Sequence, residues 1–373
     1  MENVIMNTLK KSSVFLLILL VSFLTVTCLT ADALKRPFLS FVPPNLADGW
    51  TVAAPDDVNI DGEALKDVYR YVHEDYNHWQ IRSLLVIRDN NLVAESYMKN
   101  NGDRTNPRHI WSNTKQVVGI LTGIAVDKGL ISIADTISDH LQLSPSQQAS
   151  KGQITIEDLL TMKSGINYRD GSYPDEEEKI LLGEPSNSLN FILDLGMIST
   201  PGTQYKYKNS DPHLISAILQ AKTGRTTRDW AKEVLFDKIG ITRLQWRTYK
   251  DGITFGCWGL HTTPRELGKI GQLVLDDGMW GTERIVSSLW INAMTSSQVP
   301  SSETHEDNIT FGYLWWRDTV HDVPFMWGHG GQFMFINKAK NLIVVITSEN
   351  DVDDDLNVYE ALSIYDRINS IAR

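Results

Sequence analysis

Apolar and polar positions follow two different periods along this chain. Apolar residues near helical spacing over 61–72 predict a first helix, whereas the short apolar runs 84–87 and 92–94, separated by three turn formers, predict a β-hairpin. From 111 to about 250 the apolar runs have helical length and are joined by turns. The chain therefore begins with a helix and two strands and continues into a mainly helical segment.

The final third returns to strand character. Strands are predicted at 311–316, 332–336 and 342–347, and the last run is apolar throughout, as expected of a buried central strand. A C-terminal helix follows at 355–371. Its predicted inner positions are Leu356, Tyr359, Leu362 and Ile368.

Strands near both ends of the chain and helices between them predict an α/β fold of the α+β type. We expect an antiparallel sheet with helices on both faces and an interposed helical lobe at about 111–250. The chain has 373 residues, of which 42% are hydrophobic, and it shows no repeat or low-complexity linker. That length is sufficient for one large core.

The first 33 residues have the parts of a secretory signal peptide. Two lysines precede the apolar run 14–26, and small residues occupy the positions that determine cleavage after Ala33. We expect export to the periplasm or the extracellular space and a mature domain at 34–373. Two alternatives stay open: an uncleaved membrane anchor, although the run is shorter than the roughly 20 residues of a spanning helix, and a lipid on Cys28.

Composition and charge exclude several classes of function. A net charge of -11 with no basic run repels nucleic acid and anionic lipid, so we expect no nucleic-acid partner. Of the 2 cysteines only Cys257 would remain after cleavage, which predicts no internal disulfide. The spacing of His73, Glu74 and His78 does not suit a metal, and we interpret them as a solvated helix end. We expect neither a metal nor another cofactor.

The strongest candidate chemistry lies at Ser112 and Lys115. A serine hydroxyl needs a base to take its proton as it attacks an acyl carbon, and a lysine three residues later on one helical face can be that base. The positive end of the helix dipole disfavours a protonated lysine, which pushes its pKa toward the useful range. The alternative is a capping serine with a solvated lysine. Ser96 and Lys99 share the spacing, but in a predicted strand they face opposite ways.

Three motifs occur in order along the chain, Ser112-x-x-Lys115, Tyr207-x-Asn209 and His329-Gly330-Gly331. They resemble the motifs of the serine β-lactamase and penicillin-binding-protein superfamily, especially its class C-like branch of esterases, D-amino-acid peptidases and 6-aminohexanoate-dimer hydrolases. The resemblance runs from about Ile81 to the C-terminus and includes the stretches 154–165, 201–202 and 259–267. It implies a β-lactamase-like antiparallel sheet flanked by helices, with a mainly helical lobe between its parts.

The second motif offers a proton carrier and an amide. A Tyr207 hydroxyl near both Ser112 and Lys115 would pass a proton to the leaving group, unless Tyr207 is a core residue. The Asn209 amide suits holding Lys115 or a substrate carbonyl, although asparagine before a helix is also a common cap. The resemblance implies the first of these roles for Asn209.

The third motif departs from the usual pattern. Where β-lactamases and D-alanyl peptidases usually carry Lys-Thr-Gly, which suits a substrate carboxylate, this chain has His329 and Gly330 before Gly331. That difference weakens the interpretation as an antibiotic-resistance enzyme. The resemblance also implies that the N–H of Gln332 joins the N–H of Ser112 in stabilising an oxyanion.

We therefore expect an exported serine hydrolase that cleaves a small ester or amide through an acyl-enzyme on Ser112, with Lys115 and Tyr207 as general base and acid. A β-lactamase or D-alanyl-D-alanine carboxypeptidase, and a sensor that is acylated without turnover, stay open as alternatives. Specificity is expected to lie in loops such as 171–184. The tryptophans near the motifs, which either line a cleft or belong to the core, are Trp111, Trp258, Trp315, Trp316 and Trp327.

Overall fold

The structure is a computed structural model that describes residues 38, 40–169, 187–349 and 356–373. The predicted signal peptide, Cys28 and the loop 171–184 lie outside the described residues, so they stay predictions, as do the domain boundaries. Among the described residues no helix is both long enough and apolar enough to cross a bilayer.

Thirteen strands are described. They are β1 (Thr51–Val52), β2 (Ile81–Arg88), β3 (Asn91–Tyr97), β4 (Arg108–His109), β5 (Leu244–Trp246), β6 (Leu260–Thr262), β7 (Met279–Trp280), β8 (Glu283–Arg284), β9 (Ile309–Phe311), β10 (Trp316–Asp318), β11 (Val323–Gly328), β12 (Gln332–Asn337) and β13 (Leu342–Ser348). Eight of them form the main sheet, in the order β1-β3-β2-β13-β12-β11-β10-β9, and all of its pairs are antiparallel except β1 with β3.

The helices lie mostly between β4 and β5. They are α1 (Gly62–Glu74), α2 (Asn113–Asp127), α3 (Pro145–Lys151), α4 (Ile156–Leu160), α5 (Ser188–Asp194), α6 (Ser210–Thr223), α7 (Thr227–Ala231), α8 (Pro264–Leu275), α9 (Ser288–Thr295), α10 (Ser301–Thr304) and α11 (Val358–Ile371), and a π-helical turn at Lys232–Phe236 continues α7. The predicted helix at 61–72, the hairpin β2–β3 and the central strand β13 are confirmed.

Helices cover both faces of the main sheet. On one face α8 approaches closely, because a Cβ added at Gly271 would lie 2.7 Å from the Met334 sulfur of β12. Phe335, the next residue of β12, points to the opposite face. There its ring lies 5.0 Å from that of Tyr365 in α11. This arrangement confirms the predicted fold class.

Helix α2 is buried along nearly its whole length, between β11 and the helices α6 and α9. A Cβ added at Gly123 would lie 2.1 Å from the Trp290 ring, so glycine lets α9 pack against α2. The Trp290 indole N–H also donates to the Gly119 carbonyl at 3.0 Å. Because α2 packs against neighbouring elements along its length, its first turn, which directly follows Ser112, has a fixed position.

Several local predictions are wrong. The strand predicted at 311–316 is split into β9 and β10 by a turn in which Leu314 has a φ of 61°, and β11 was not predicted. At the C-terminal helix the predicted inner positions Leu356 and Ile368 are buried, but Tyr359 is 49% exposed and Leu362 is half-buried. The buried face of α11 runs instead through Val358, Ala361, Ile364, Tyr365 and Ile368.

The interpretation of His73 and His78 as a solvated helix end is also wrong. Both side chains are buried, and the His73 Nε2 lies 2.9 Å from the Ser96 hydroxyl of β3. The polar side of the predicted helix turns toward the sheet here, and a hydroxyl on the neighbouring strand satisfies the ring nitrogen.

Candidate active site

Ser112 directly precedes α2, and its hydroxyl does not cap the helix. The residue has a helical backbone, with φ -63° and ψ -10°, and its side chain makes no capping hydrogen bond. The preceding Trp111 has a φ of 50°, a left-handed conformation that costs on the order of 1–3 kcal/mol in a non-glycine residue. Thr114 stabilises this bend, since its N–H and its hydroxyl both donate to the Trp111 carbonyl, at 3.0 and 2.7 Å.

Three oxygens lie within hydrogen-bond distance of the Lys115 side-chain nitrogen. The side chain is fully buried, and Nζ lies 2.8 Å from Ser112 Oγ, 2.7 Å from Asn209 Oδ1 and 3.0 Å from the Cys257 carbonyl oxygen. The last two oxygens only accept hydrogen bonds. A neutral amine has two N–H groups and one lone pair, so when both acceptors are satisfied the lone pair points at the Ser112 hydroxyl. This is the orientation that a general base requires.

Tyr207 and Asn209 reach this amine from the segment before α6. Lys115 Nζ lies 4.9 Å from the centre of the Tyr207 ring, which stacks on Trp316 at 5.4 Å. Asn209 occupies the N-cap position of α6 but makes no capping bond; instead its amide oxygen accepts from Lys115. The structure thus favours the holding role over the capping role for Asn209.

A buried ion pair lies beneath the Tyr207-x-Asn209 segment. Lys208 and Asp211 are both fully buried, with Nζ 3.3 Å from a carboxylate oxygen. The Ser164 hydroxyl donates to the same carboxylate at 2.7 Å. Burial raises the pKa of Asp211, and the Lys208 charge opposes that shift. The pair therefore ties the loop after α4 to the start of α6 and fixes the segment between Tyr207 and Asn209.

His329, Gly330 and Gly331 form the turn between β11 and β12. Both glycines have positive φ, 74° and 81°, and a Cβ added at Gly331 would lie 2.6 Å from the Leu356 Cβ. The His329 ring meets the edge of the Trp111 ring at 5.0 Å. The Gln332 carbonyl accepts from the Asn113 amide at 3.3 Å, which joins the start of β12 to the start of α2.

These elements surround a cavity of about 550 Å³, a size typical of a small-molecule site. It is lined by Ser112, Gln204, Tyr205, Lys206, Tyr207, Glu303, Thr304, His305, Glu306, Trp316, Trp327 and His329. Trp316 and Trp327 are thus cleft residues, whereas Trp315 is fully buried core. Among the residues of the described ranges, no group of three or more His, Cys, Asp or Glu side chains is placed to hold a metal.

Several residues of the site carry no motif in the sequence. The Cys257 carbonyl contacts Lys115 through its backbone, for which the residue type gives no signal. The segment Glu303–Glu306 also lacks a recognisable pattern. The Lys208–Asp211 pair does have a signal, since opposite charges three residues apart at a helix start commonly meet.

His109 supports the loop that carries the Cys257 carbonyl. Its Nε2 accepts from the Gly259 N–H at 3.0 Å, and its ring stacks on His261 at 4.7 Å and packs on Trp111 at 4.1 Å. Burial, followed by the nearby positive charges of His261 and Arg247, lowers the pKa of His109 to about 3. His109 is therefore a neutral acceptor at neutral pH.

The low pKa of His109 in the folded protein predicts how the free energy of unfolding changes with pH. Its folded pKa lies below the value near 6.5 of an unfolded histidine, so its contribution is fully present above pH 6.5 and is lost as the pH falls toward 3. Between pH 6.5 and 5 we expect wild type to lose about 2 kcal/mol more unfolding free energy than His109→Asn. Denaturant titrations at both pH values measure this, and equal losses in the two proteins would contradict it.

A family model described as Beta-lactamase matches residues 82–365. The 6-aminohexanoate-dimer hydrolase of Paenarthrobacter ureafaciens is 22% identical over 297 residues, which cover 73% of this chain and 73% of that protein.

Two solved structures share the fold. A Bacillus anthracis protein provisionally assigned as a 6-aminohexanoate-dimer hydrolase has a TM-score of 0.67 at 18% identity and covers 88% of this chain and 89% of its own. EstCE1, a hydrolase with promiscuous acyltransferase activity, has a TM-score of 0.66 at 14% identity, over 82% of this chain and 97% of its own.

Proposed function

This chain belongs to the beta-lactamase family, and we propose that it is a serine hydrolase that cleaves a small ester or amide through an acyl-enzyme on Ser112. The observation that carries the proposal is the set of three oxygens around Lys115 Nζ. Two of them hold the amine, so its lone pair is left for the Ser112 hydroxyl. The hydrolases among the relatives support the reaction class.

In the proposed acylation step, Ser112 Oγ attacks the carbonyl carbon while Lys115 takes its proton. The Tyr207 hydroxyl, on a ring that covers the Lys115 amine, then relays a proton to the departing alkoxide or amine. The carbon–oxygen or carbon–nitrogen bond breaks, and the acyl group stays on Ser112. Water then attacks the acyl carbon while its proton passes through the Tyr207 hydroxyl to Lys115. Lys115 returns the proton to Ser112 Oγ as the bond between Oγ and the acyl carbon breaks, and the carboxylic acid leaves.

The tetrahedral intermediate needs donors for its oxyanion. The N–H of Ser112 at the start of α2 and the N–H of Gln332 at the start of β12 are the proposed pair. The Asn113 amide joins these two backbone segments through the Gln332 carbonyl. Their relative position is therefore fixed before the substrate arrives.

We expect uncharged esters to be better substrates than penicillins. Histidine at 329 lacks the permanent ammonium charge that a lysine would place there. This loss removes on the order of 1.5–3 kcal/mol of charge-assisted carboxylate recognition, which corresponds to roughly ten- to a hundredfold in selectivity. The ratio of initial rates on a butyrate ester and on benzylpenicillin at pH 7.5 measures this selectivity.

Faster hydrolysis of benzylpenicillin would contradict this expectation and favour the β-lactamase alternative. His329→Lys is the matched variant and should narrow the gap. A threonine at Gly330 is unsuitable as a second change, because a β-branched residue at a φ of 74° is strained.

Export is part of the same proposal. The lysines and the apolar run 14–26 support a cleaved signal peptide. We expect the mature protein to begin near Leu34, as N-terminal sequencing of the secreted form would show. A mature chain that retains Lys10 would contradict it.

A further inference from the structure

The cavity beside Ser112 has an aromatic wall. The rings of Tyr207, Trp316 and Trp327 follow one another, at 5.4 Å between the first two and 5.2 Å between the last two. All three residues line the cavity. Aromatic faces attract cations, most strongly where water is excluded.

Among the described residues that line this cavity, one carboxylate has no cationic partner. Glu303 is paired with Lys163 at 3.0 Å. Glu306 is half-buried and accepts a hydrogen bond from the Tyr359 hydroxyl at 3.1 Å. Within the described ranges no lysine, arginine or histidine forms an ion pair with Glu306. Its negative charge is therefore available to a bound molecule.

Tyr205 is a second polar residue that lines the cavity. The Tyr205 hydroxyl is buried and makes no hydrogen bond in the described part of the chain, although Tyr205 lines the cavity. Burial, the neighbouring Tyr207 and the negative charge of Glu306 all raise the pKa of Tyr205, so it stays a neutral phenol close to that carboxylate.

Lys206 is the competing charge in the cavity. Its ammonium donates to the carbonyl of the fully buried Tyr168 at 2.7 Å, which turns it toward the protein interior. The Lys206 ammonium is thus held against a backbone carbonyl, whereas the Glu306 carboxylate, which accepts from the Tyr359 hydroxyl, has no cationic partner among the described residues.

We propose that the natural substrate carries an ammonium group, with Glu306 as its counter-ion and the rings of Trp316 and Trp327 as its aromatic wall. This inference rests on the proposed function, since it names the substrate class of the same site. The ammonium and the ester or amide belong to one small molecule, because both groups must fit in a cavity of about 550 Å³. Recognition of this kind is expected to be worth about tenfold in kcat/KM.

Pairs of substrates that have the same shape, one cationic and one neutral, test the effect of the positive charge on kcat/KM alone. The first pair is the para-nitrophenyl esters of trimethylammoniobutanoic acid and of its analogue with carbon in place of nitrogen. The second pair is acetylthiocholine and its carbon isostere, which place the charge on the leaving group. We expect a cationic preference of about tenfold in at least one pair at low ionic strength, and a smaller preference in high salt.

Two variants test whether Glu306 causes the preference for cationic substrates. In Glu306→Gln the ratio of kcat/KM between the cationic and the neutral ester should fall close to one. Glu63→Gln makes the same charge change on an exposed helix end outside the cavity and should keep the wild-type ratio. Thermal unfolding checks that both variants are folded.

The results of these assays distinguish a failure of the ammonium inference from a failure of the proposed hydrolase function. Turnover of the neutral isosteres with no cationic preference in either pair, or a preference that survives in Glu306→Gln, would overturn the ammonium inference alone. Turnover of none of the four substrates would instead contradict the proposed hydrolase function and, with it, this inference.

Discussion

Ser112→Ala is expected to lower kcat by about 10⁴-fold or more while leaving the fold intact. Removing the hydroxyl removes the atom that forms the acyl bond, and loss of one member of a nucleophile–base unit costs about as much as loss of the whole unit. The Ser112 side chain makes no capping bond, so stability should change by less than about 1 kcal/mol. Ester hydrolysis and thermal unfolding measure the two effects.

The chain provides a matched control for this variant. Ser96 is also followed three residues later by a lysine, but its hydroxyl contacts His73 in the core. Ser96→Ala should therefore lose about 1 kcal/mol of stability and keep its activity. Near-wild-type hydrolysis by Ser112→Ala would remove the basis of the proposed mechanism.

Asp211→Ala is expected to destabilise the protein by about 3–5 kcal/mol. The substitution leaves Lys208 fully buried, with the Met162 and Lys206 carbonyls, at 3.4 and 3.5 Å, as its remaining hydrogen-bond partners among the described residues. An uncompensated buried charge is costly, whereas the intact pair contributes little net stability. Activity should fall as well, because the segment that carries Tyr207 and Asn209 loses its anchor.

Denaturant unfolding at pH 7 measures this loss. The double variant Lys208→Met with Asp211→Leu removes both charges and should recover part of the stability. A cost below about 1 kcal/mol for Asp211→Ala would show that the pair does not anchor the segment.

The sequence was sufficient to predict the fold class and the pairing of Ser112 with Lys115. Both depend on short-range periodicity: residues three apart on a helix share a face, and the apolar runs of β2 and β13 identify buried strands. The prediction for α11 shows the limit of this reasoning. The apolar residues of α11 are numerous enough to form two adjacent apolar faces. Packing against the sheet buries the face that contains Ala361 and Ile364.

Contacts between distant parts of the chain could not be predicted. The Cys257 carbonyl reaches Lys115 across 142 positions, and only the folded loop places it there. Glu306 lies in a charged surface-like segment whose approach to the cavity depends on α10 and β9. The split at 312–315 depends on Gly312, where an added Cβ would lie 2.2 Å from the Met294 carbonyl.

The central claim is a covalent acyl-enzyme on Ser112. Mass spectrometry of protein quenched within one turnover of a slowly deacylated ester tests it directly. The account predicts that the protein gains the mass of the acyl group, that the modified peptide contains Ser112, and that Ser112→Ala gains nothing. Turnover without a covalent adduct, or an adduct on any other residue, would contradict it.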